Sequence, residues 1–111
     1  MDRAVEYRKI IELVLQQYTQ IVYANMAIKN RAAFDRDRDQ YLILSEGWNK
    51  QQRIHSCLIH IEIINSKVWI QIDGTEDGIA EELMAAGIPK AEIVLGFHEP
   101  EIRPHTGFAI A

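Results

Sequence analysis

The chain has 111 residues, 48% of them hydrophobic and 25% charged, with a formal net charge of -4; the length suits one domain over 1–111, and the composition excludes disordered, collagen-like and low-complexity classes. Cys57 is the single cysteine, which excludes an intramolecular disulfide, a Cys-x-x-Cys redox pair and a Cys-rich zinc site, and fits a reducing compartment. Charge is uneven: residues 1–55 carry nine Lys or Arg against seven Asp or Glu, and residues 56–111 carry three against nine, so the halves are about +2 and -6.

Residues 2–18 space Tyr7, Ile10, Ile11, Val14 and Tyr18 at the intervals that line one side of a helix, and Leu15 widens the stripe. Asp2 is placed to cap this helix, and Glu6 with Lys9, or Glu12 with Arg8, offers weak pairs along its surface. Charge interrupts the stripe every few positions, so it lacks the continuous apolar run of a signal peptide. No segment reaches the roughly 18 unbroken apolar residues of a membrane span. A cytoplasmic protein is expected.

After a less patterned stretch through Ile21, Tyr23 and Met26, the apolar period changes to two. Residues 32–36 and 40–46 are predicted strands joined by a turn at Asp37–Asp39, with a second turn at Gly47–Gln52. Residues 53–64 form a third strand, with Cys57, Ile59, Ile61 and Ile63 on one face. Asn65 and Ser66 make a two-residue turn into residues 67–73, where Val68, Ile70 and Ile72 face one way and Trp69, Gln71 and Asp73 the other. Thr75 occupies an N-cap position, followed by Glu76, Asp77 and a buried stripe of Ile79, Ala80, Leu83 and Met84. Gly87 and Pro89 stop that helix, and Pro89 is positioned to open a short second helix to Val94 or Leu95. The apolar ending from Phe108 to Ala111 predicts a tail that packs back as an extra edge strand. The order gives an α+β domain: one N-terminal helix, an antiparallel sheet of about four strands, then one or two C-terminal helices.

No catalytic, cofactor-binding or metal site assembles from these residues. Asp35, Asp37, Asp39 and Glu46 match four places of a calcium loop, but Gln40 stands where the loop requires Gly, and a strand follows where a helix should. His55 and His60 differ by five positions on one strand, which directs them to opposite faces. His98 and His105 lack a helical ligand spacing. Glycine-rich phosphate loops are absent, and Asp73–Gly78 places acid where phosphate would bind. Cys57, on the apolar face with Ile59, is expected to be an inert buried thiol. The residues best suited to partner contact are Trp48 and Trp69, because Trp is enriched in desolvated interfaces, together with Glu81 and Glu82 on the acidic helix. Trp69 is a contact residue if its sheet face is open and a core residue if a helix covers it. Lys29, Arg31, Arg36 and Arg38 are the candidates for direct DNA contact, although Asp35, Asp37 and Asp39 alternate with the last two.

Several stretches resemble the cyanobacterial XisI-like family: YRKIIELVLQQY, FDRDRDQYLIL, GWNKQQRIHSCLIHIEI, and KVWIQIDGTEDGIAEELMAAGIPKAEIVLGFHEPEIRPHTGFAIA to the end. That resemblance implies a non-enzymatic controlling factor for excision of the fdxN element during heterocyst differentiation. It also implies a XisH-like protein as partner and a XisF-type recombinase in the same process, with no cofactor and no catalytic motif to carry over. The two functional readings are a protein-binding accessory factor, regulatory or antitoxin-like, and a directionality factor that binds DNA itself. A homo-oligomer is also expected.

Overall fold

The computed structural model describes residues 3–24 and 26–111; the Asp2 cap lies outside them. Helix α1 (Arg3–Gln16) continues into a 3-10 turn at Gln17–Gln20, and strands β1 (Ala27–Asp35), β2 (Gln40–Asn49), β3 (Gln52–Ile64) and β4 (Lys67–Asp73) follow. Helix α2 (Ile79–Ala85), a 3-10 turn at Lys90–Glu92, strand β5 (Ile93–Leu95) and a 3-10 turn at Arg103–His105 complete the chain. The sheet runs in the order β1-β2-β3-β4-β5.

The α1 stripe is buried as its spacing requires, with Tyr7, Ile11, Val14 and Leu15 at most 5% exposed. They meet Tyr41, Ile43, Ile59, Ile61, Val68 and Ile70 from the inner face of the sheet and Ile79 and Leu83 from α2, forming one core. Each fully buried aliphatic side chain there contributes roughly 1.5–3 kcal/mol of transfer free energy. Two charged residues of α1 reach across to the sheet. Arg8 reaches Asp39 and Glu12 accepts from Arg36, both in the β1–β2 turn.

The first strand begins five residues earlier than the alternation suggested. Lys29, Asn30 and Arg31 obscure it, yet Asn30 is buried. Its side chain is satisfied there: the amide donates to the Tyr18 carbonyl and the Tyr23 hydroxyl, both at 2.9 Å, and Ser45 donates to Asn30 Oδ1 at 2.6 Å. β2 and β3 likewise run through most of the predicted Gly47–Gln52 turn, leaving only Lys50 and Gln51 between paired Asn49 and Gln52. Gly47 lies inside β2 because only glycine fits: a Cβ there would stand 1.9 Å from the Ala27 carbonyl oxygen. The β3–β4 turn is as predicted, with both Asn65 and Ser66 at positive φ, the signature of a type I′ hairpin.

Two bulges correct the predicted faces. Between β2 and β3, Ile43 pairs with Ile59 but Leu44 pairs with Cys57, leaving Leu58 unpaired in the ladder. Between β3 and β4, Ile61 pairs with Ile70 but His60 pairs with Ile72, leaving Gln71 over. Each extra residue reverses the parity beyond it. Cys57 therefore lies on the face opposite Ile59, His55 and His60 share one face, and Ile72 turns outward while Asp73 turns toward the helices.

That turn of Asp73 relocates the cap of α2. Thr75 does not cap it; the Asp73 carboxylate, six residues before the helix, accepts from the Ile79 N–H at 2.9 Å and from the Thr75 N–H at 3.0 Å. The helix ends where expected. Gly87, at φ +118°, donates to Met84 and Ile88 donates to Leu83, the two bonds of a Schellman motif. The segment after Pro89 is not a helix. One 3-10 turn leads into β5, which pairs parallel to β4 with Val68 opposite Ile93 and Ile70 opposite Leu95. The sheet is thus mixed and five-stranded, with one helix after the hairpins and a single βαβ crossover through α2. The tail packs back as its composition implied, but through one isolated parallel bridge from Ala109 to Val94 rather than as an extra edge strand. No helix among the described residues is long and apolar enough to cross a membrane.

Candidate functional site

Both helices lie against the same face of the sheet, which leaves the opposite face without a helical cover. Strand register assigns the residues of this outer face in transverse rows. From one end they are Ala27–Trp48–Arg53, Lys29–Glu46–His55, Arg31–Leu44–Cys57, Ala33–Leu42–His60–Ile72 and Asp35–Gln40–Glu62–Trp69–Val94. The first three rows carry most of the cations, the middle is apolar, and the last row is polar from β1 to β3 and apolar at Trp69 and Val94.

At the first end Trp48 is 50% exposed, and the Arg53 guanidinium stands 5.5 Å from its ring centroid. Glu46 lies among Lys29, Arg31 and Arg53; it pairs with Arg31 at 2.5 Å and more loosely with Arg53 at 4.0 Å. In the middle, Leu42 and Leu44 are half-buried and Ile72 is 41% exposed. Cys57 is half-buried opposite Leu44, and burial pushes its thiol above the usual range, with its Sγ donating to the Ile59 carbonyl. At the far end His60 Nε2 donates to Gln40 Oε1 at 2.7 Å, and Gln40 Nε2 donates to Glu62 at 2.9 Å.

Trp69 faces outward on a surface that no helix covers, yet it is only partly accessible, because Arg103 from the tail lies 5.1 Å from its ring. Arg103 is held there by donation to the His98 carbonyl. Trp48 and Trp69 thus stand at opposite ends of one face. Glu81 and Glu82 do not join them: both are exposed on α2, on the other side of the sheet, where Glu82 accepts from the Tyr18 hydroxyl at 2.6 Å.

The four candidate DNA-contacting cations divide in the same way. Lys29 and Arg31 belong to the outer face, whereas Arg36 and Arg38 sit at the β1–β2 turn, roughly 17 Å from Arg31 along the strand. Arg36 donates twice to Glu12 at 2.7 Å, and Arg38 donates to Asp35 at 3.0 Å. Three of the four carboxylates of the calcium-like pattern are engaged, Asp35 by Arg38 and by the Asp37 and Arg38 N–H groups, Asp39 by Arg8 and Tyr41, and Glu46 by Arg31. Among the described residues no three His, Cys, Asp or Glu side chains cluster as a metal would require.

Sequence reasoning missed Leu42, Leu44, Ile72 and Arg53 as surface residues. One signal was available: Tyr41, Leu42, Ile43 and Leu44 are apolar at both parities, as expected of a strand whose second face also meets something. Ile72 carried no such signal, because its face depends on a bulge.

The chain is similar throughout to proteins of known family. The family model described as XisI protein matches residues 1–110. The crystal structure of fdxN element excision controlling factor XisI from Anabaena variabilis ATCC 29413 superposes with a TM-score of 0.81 at 38% identity, covering 99% of this chain and 100% of that one. A XisI-like protein from the same organism superposes with a TM-score of 0.83 at 28% identity, covering 98% and 99%. No curated protein matches the chain.

Proposed function

The chain belongs to the XisI family, and from that premise we propose that it is a non-enzymatic controlling factor for excision of a DNA element, acting by binding a XisH-like protein, in the manner of a regulator or antitoxin. The supporting observation is the open outer face of the sheet. It presents an exposed Trp48, an apolar middle of Leu42, Leu44 and Ile72, and charged flanks. An exposed aromatic anchor and an apolar patch on one face, with charged residues between and around them, have the composition of a protein interface. The name carried by the 38% identical relative, an excision controlling factor, supports the process, in which a XisF-type recombinase would perform the strand chemistry.

Co-expression with a XisH-like protein, followed by size-exclusion chromatography with light scattering, tests the reading. A complex of defined stoichiometry is expected; two separate peaks at micromolar concentration would contradict it. The second reading, direct DNA binding, is favoured by one observation, the placement of Lys29, Arg31 and Arg53 in the rows of the outer face nearest its Trp48 end. It requires DNA affinity that falls steeply with salt and weakens when Lys29 and Arg31 become Ala. Absence of measurable binding at low salt would exclude it.

A further inference from the structure

β1 is the outermost strand of the sheet, and among the described residues no turn, loop or cap backbone group bonds to residues 27–35 from its other side. Open edges of this length are normally shortened, bulged or covered. A groove of about 890 Å³ wraps the first half of this edge, and its two walls differ. One wall is apolar: Ile21, Val22 and Met26 are 41%, 91% and 38% exposed, and Tyr23 is held beneath the strand through Asn30, an inner-face residue. The other wall is the outer face, where among the described residues Lys29, Arg31 and Arg53 face one acid, Glu46. Lys29 has no ion pair among the described residues, because Glu46, its neighbour in register, is taken by Arg31.

An unpaired strand edge between an apolar wall and a basic wall fits one kind of ligand. We propose that β1 accepts an extended strand from a protein partner, whose acidic residues alternate with apolar ones. The acids face Lys29 and Arg31; the apolar side chains cover Ile21, Val22 and Met26. Main-chain hydrogen bonds supply affinity, and the alternation sets specificity. This proposal rests on the protein-binding reading above and specifies the partner segment. Pairing with a second copy of β1 centred on the groove would set Lys29 opposite Lys29, and like charges directly opposite destabilise a strand pair.

The test uses nitrogen-15-labelled protein and a blocked peptide of alternating Val and Glu, with a Val/Lys peptide and a backbone N-methylated Val/Glu peptide as controls. The Val/Glu peptide is expected to shift the amides of residues 27–31 and slow their exchange. The Val/Lys and N-methylated peptides should bind at least about tenfold more weakly. Lys29→Glu with Arg31→Glu, both on exposed side chains, should reverse the charge preference. Equal binding of the two charge types, or shifts only elsewhere, would overturn the proposal. Concentration-dependent protection of 27–31 in the free protein would assign the edge to a second copy instead, and tighter binding of a duplex oligonucleotide at the same amides would assign it to nucleic acid. If the XisH-like protein binds the double variant as tightly as the wild type, strand addition fails and partner binding stands. If no such complex forms but the Val/Glu peptide docks at β1, the choice of partner fails and the edge site stands.

Discussion

Arg8 of α1 holds Asp39 of the β1–β2 turn through two charge-assisted hydrogen bonds, Nε to Oδ1 at 2.6 Å and Nη2 to Oδ2 at 3.1 Å. One helical turn on, Glu12 accepts from Arg36 with the charges reversed. The helix is thereby fixed in register on the end of the sheet opposite the exposed Trp48, and the outer face is left free.

The Arg8 guanidinium, aided by the Tyr41 hydroxyl, holds the Asp39 carboxyl below its ordinary value, while burial and that same contact push the Tyr41 hydroxyl up to about 12. A carboxyl with a lowered folded-state pKa binds its proton more weakly than in the unfolded chain. It therefore adds stability that is complete above the unfolded value of about 3.9 and is lost as pH falls through the folded value. Asp39→Asn keeps the left-handed conformation that Asp39 adopts at φ +52° and removes the charge. It should cost about 2 kcal/mol at pH 7, and denaturant curves for the two proteins should converge as pH falls below the unfolded value. A difference that persists undiminished at acid pH would mean that the ion pair is not its cause.

Gly47→Ala should destabilise by roughly 3 kcal/mol, because its methyl would meet the Ala27 carbonyl at 1.9 Å and β1 must move away from β2. Urea denaturation checks the magnitude. Hydrogen exchange should show the loosening first at residues 27–31, and an undisturbed β1 would contradict the packing described.

Asp73→Ala should cost about 1–2 kcal/mol, the usual value of a helix cap, and should speed amide exchange at the start of α2, where Ile79 loses its acceptor. Thr75→Ala should cost less, because Thr75 donates to Asp73 and does not itself cap the helix.

The elements legible in the sequence were those whose own residues carry the pattern: the α1 stripe, the Asn65–Ser66 hairpin and the Gly87 stop. What escaped depended on partners distant in sequence. Asn30 broke the alternation of β1 because it is a buried polar residue satisfied by Tyr18, Tyr23 and Ser45. The bulges at Leu58 and Gln71 are visible only in the pairing, and they moved Cys57, Ile72 and Asp73 to other faces. Ile93–Leu95 is three apolar residues, too short for periodicity to separate strand from helix, and parallel pairing with β4 decides it. At the candidate surface, Trp48 and Trp69 were legible as aromatics but their exposure was not. Trp48 is open because the strand ends there, and Trp69 is half-covered because Arg103 returns from the tail.

The measurement that bears most directly on the outer face as the partner surface is calorimetric titration of a XisH-like protein into the wild type, Leu44→Glu, Trp48→Ala, and Glu81→Gln with Glu82→Gln. Leu44→Glu and Trp48→Ala should each weaken binding by at least about thirtyfold, the effect of losing an interface anchor worth roughly 2 kcal/mol, with thermal unfolding little changed. The α2 variant should bind like the wild type. Wild-type affinity in Leu44→Glu and Trp48→Ala, with loss confined to the α2 variant, would contradict the account and place the interface on the helical side.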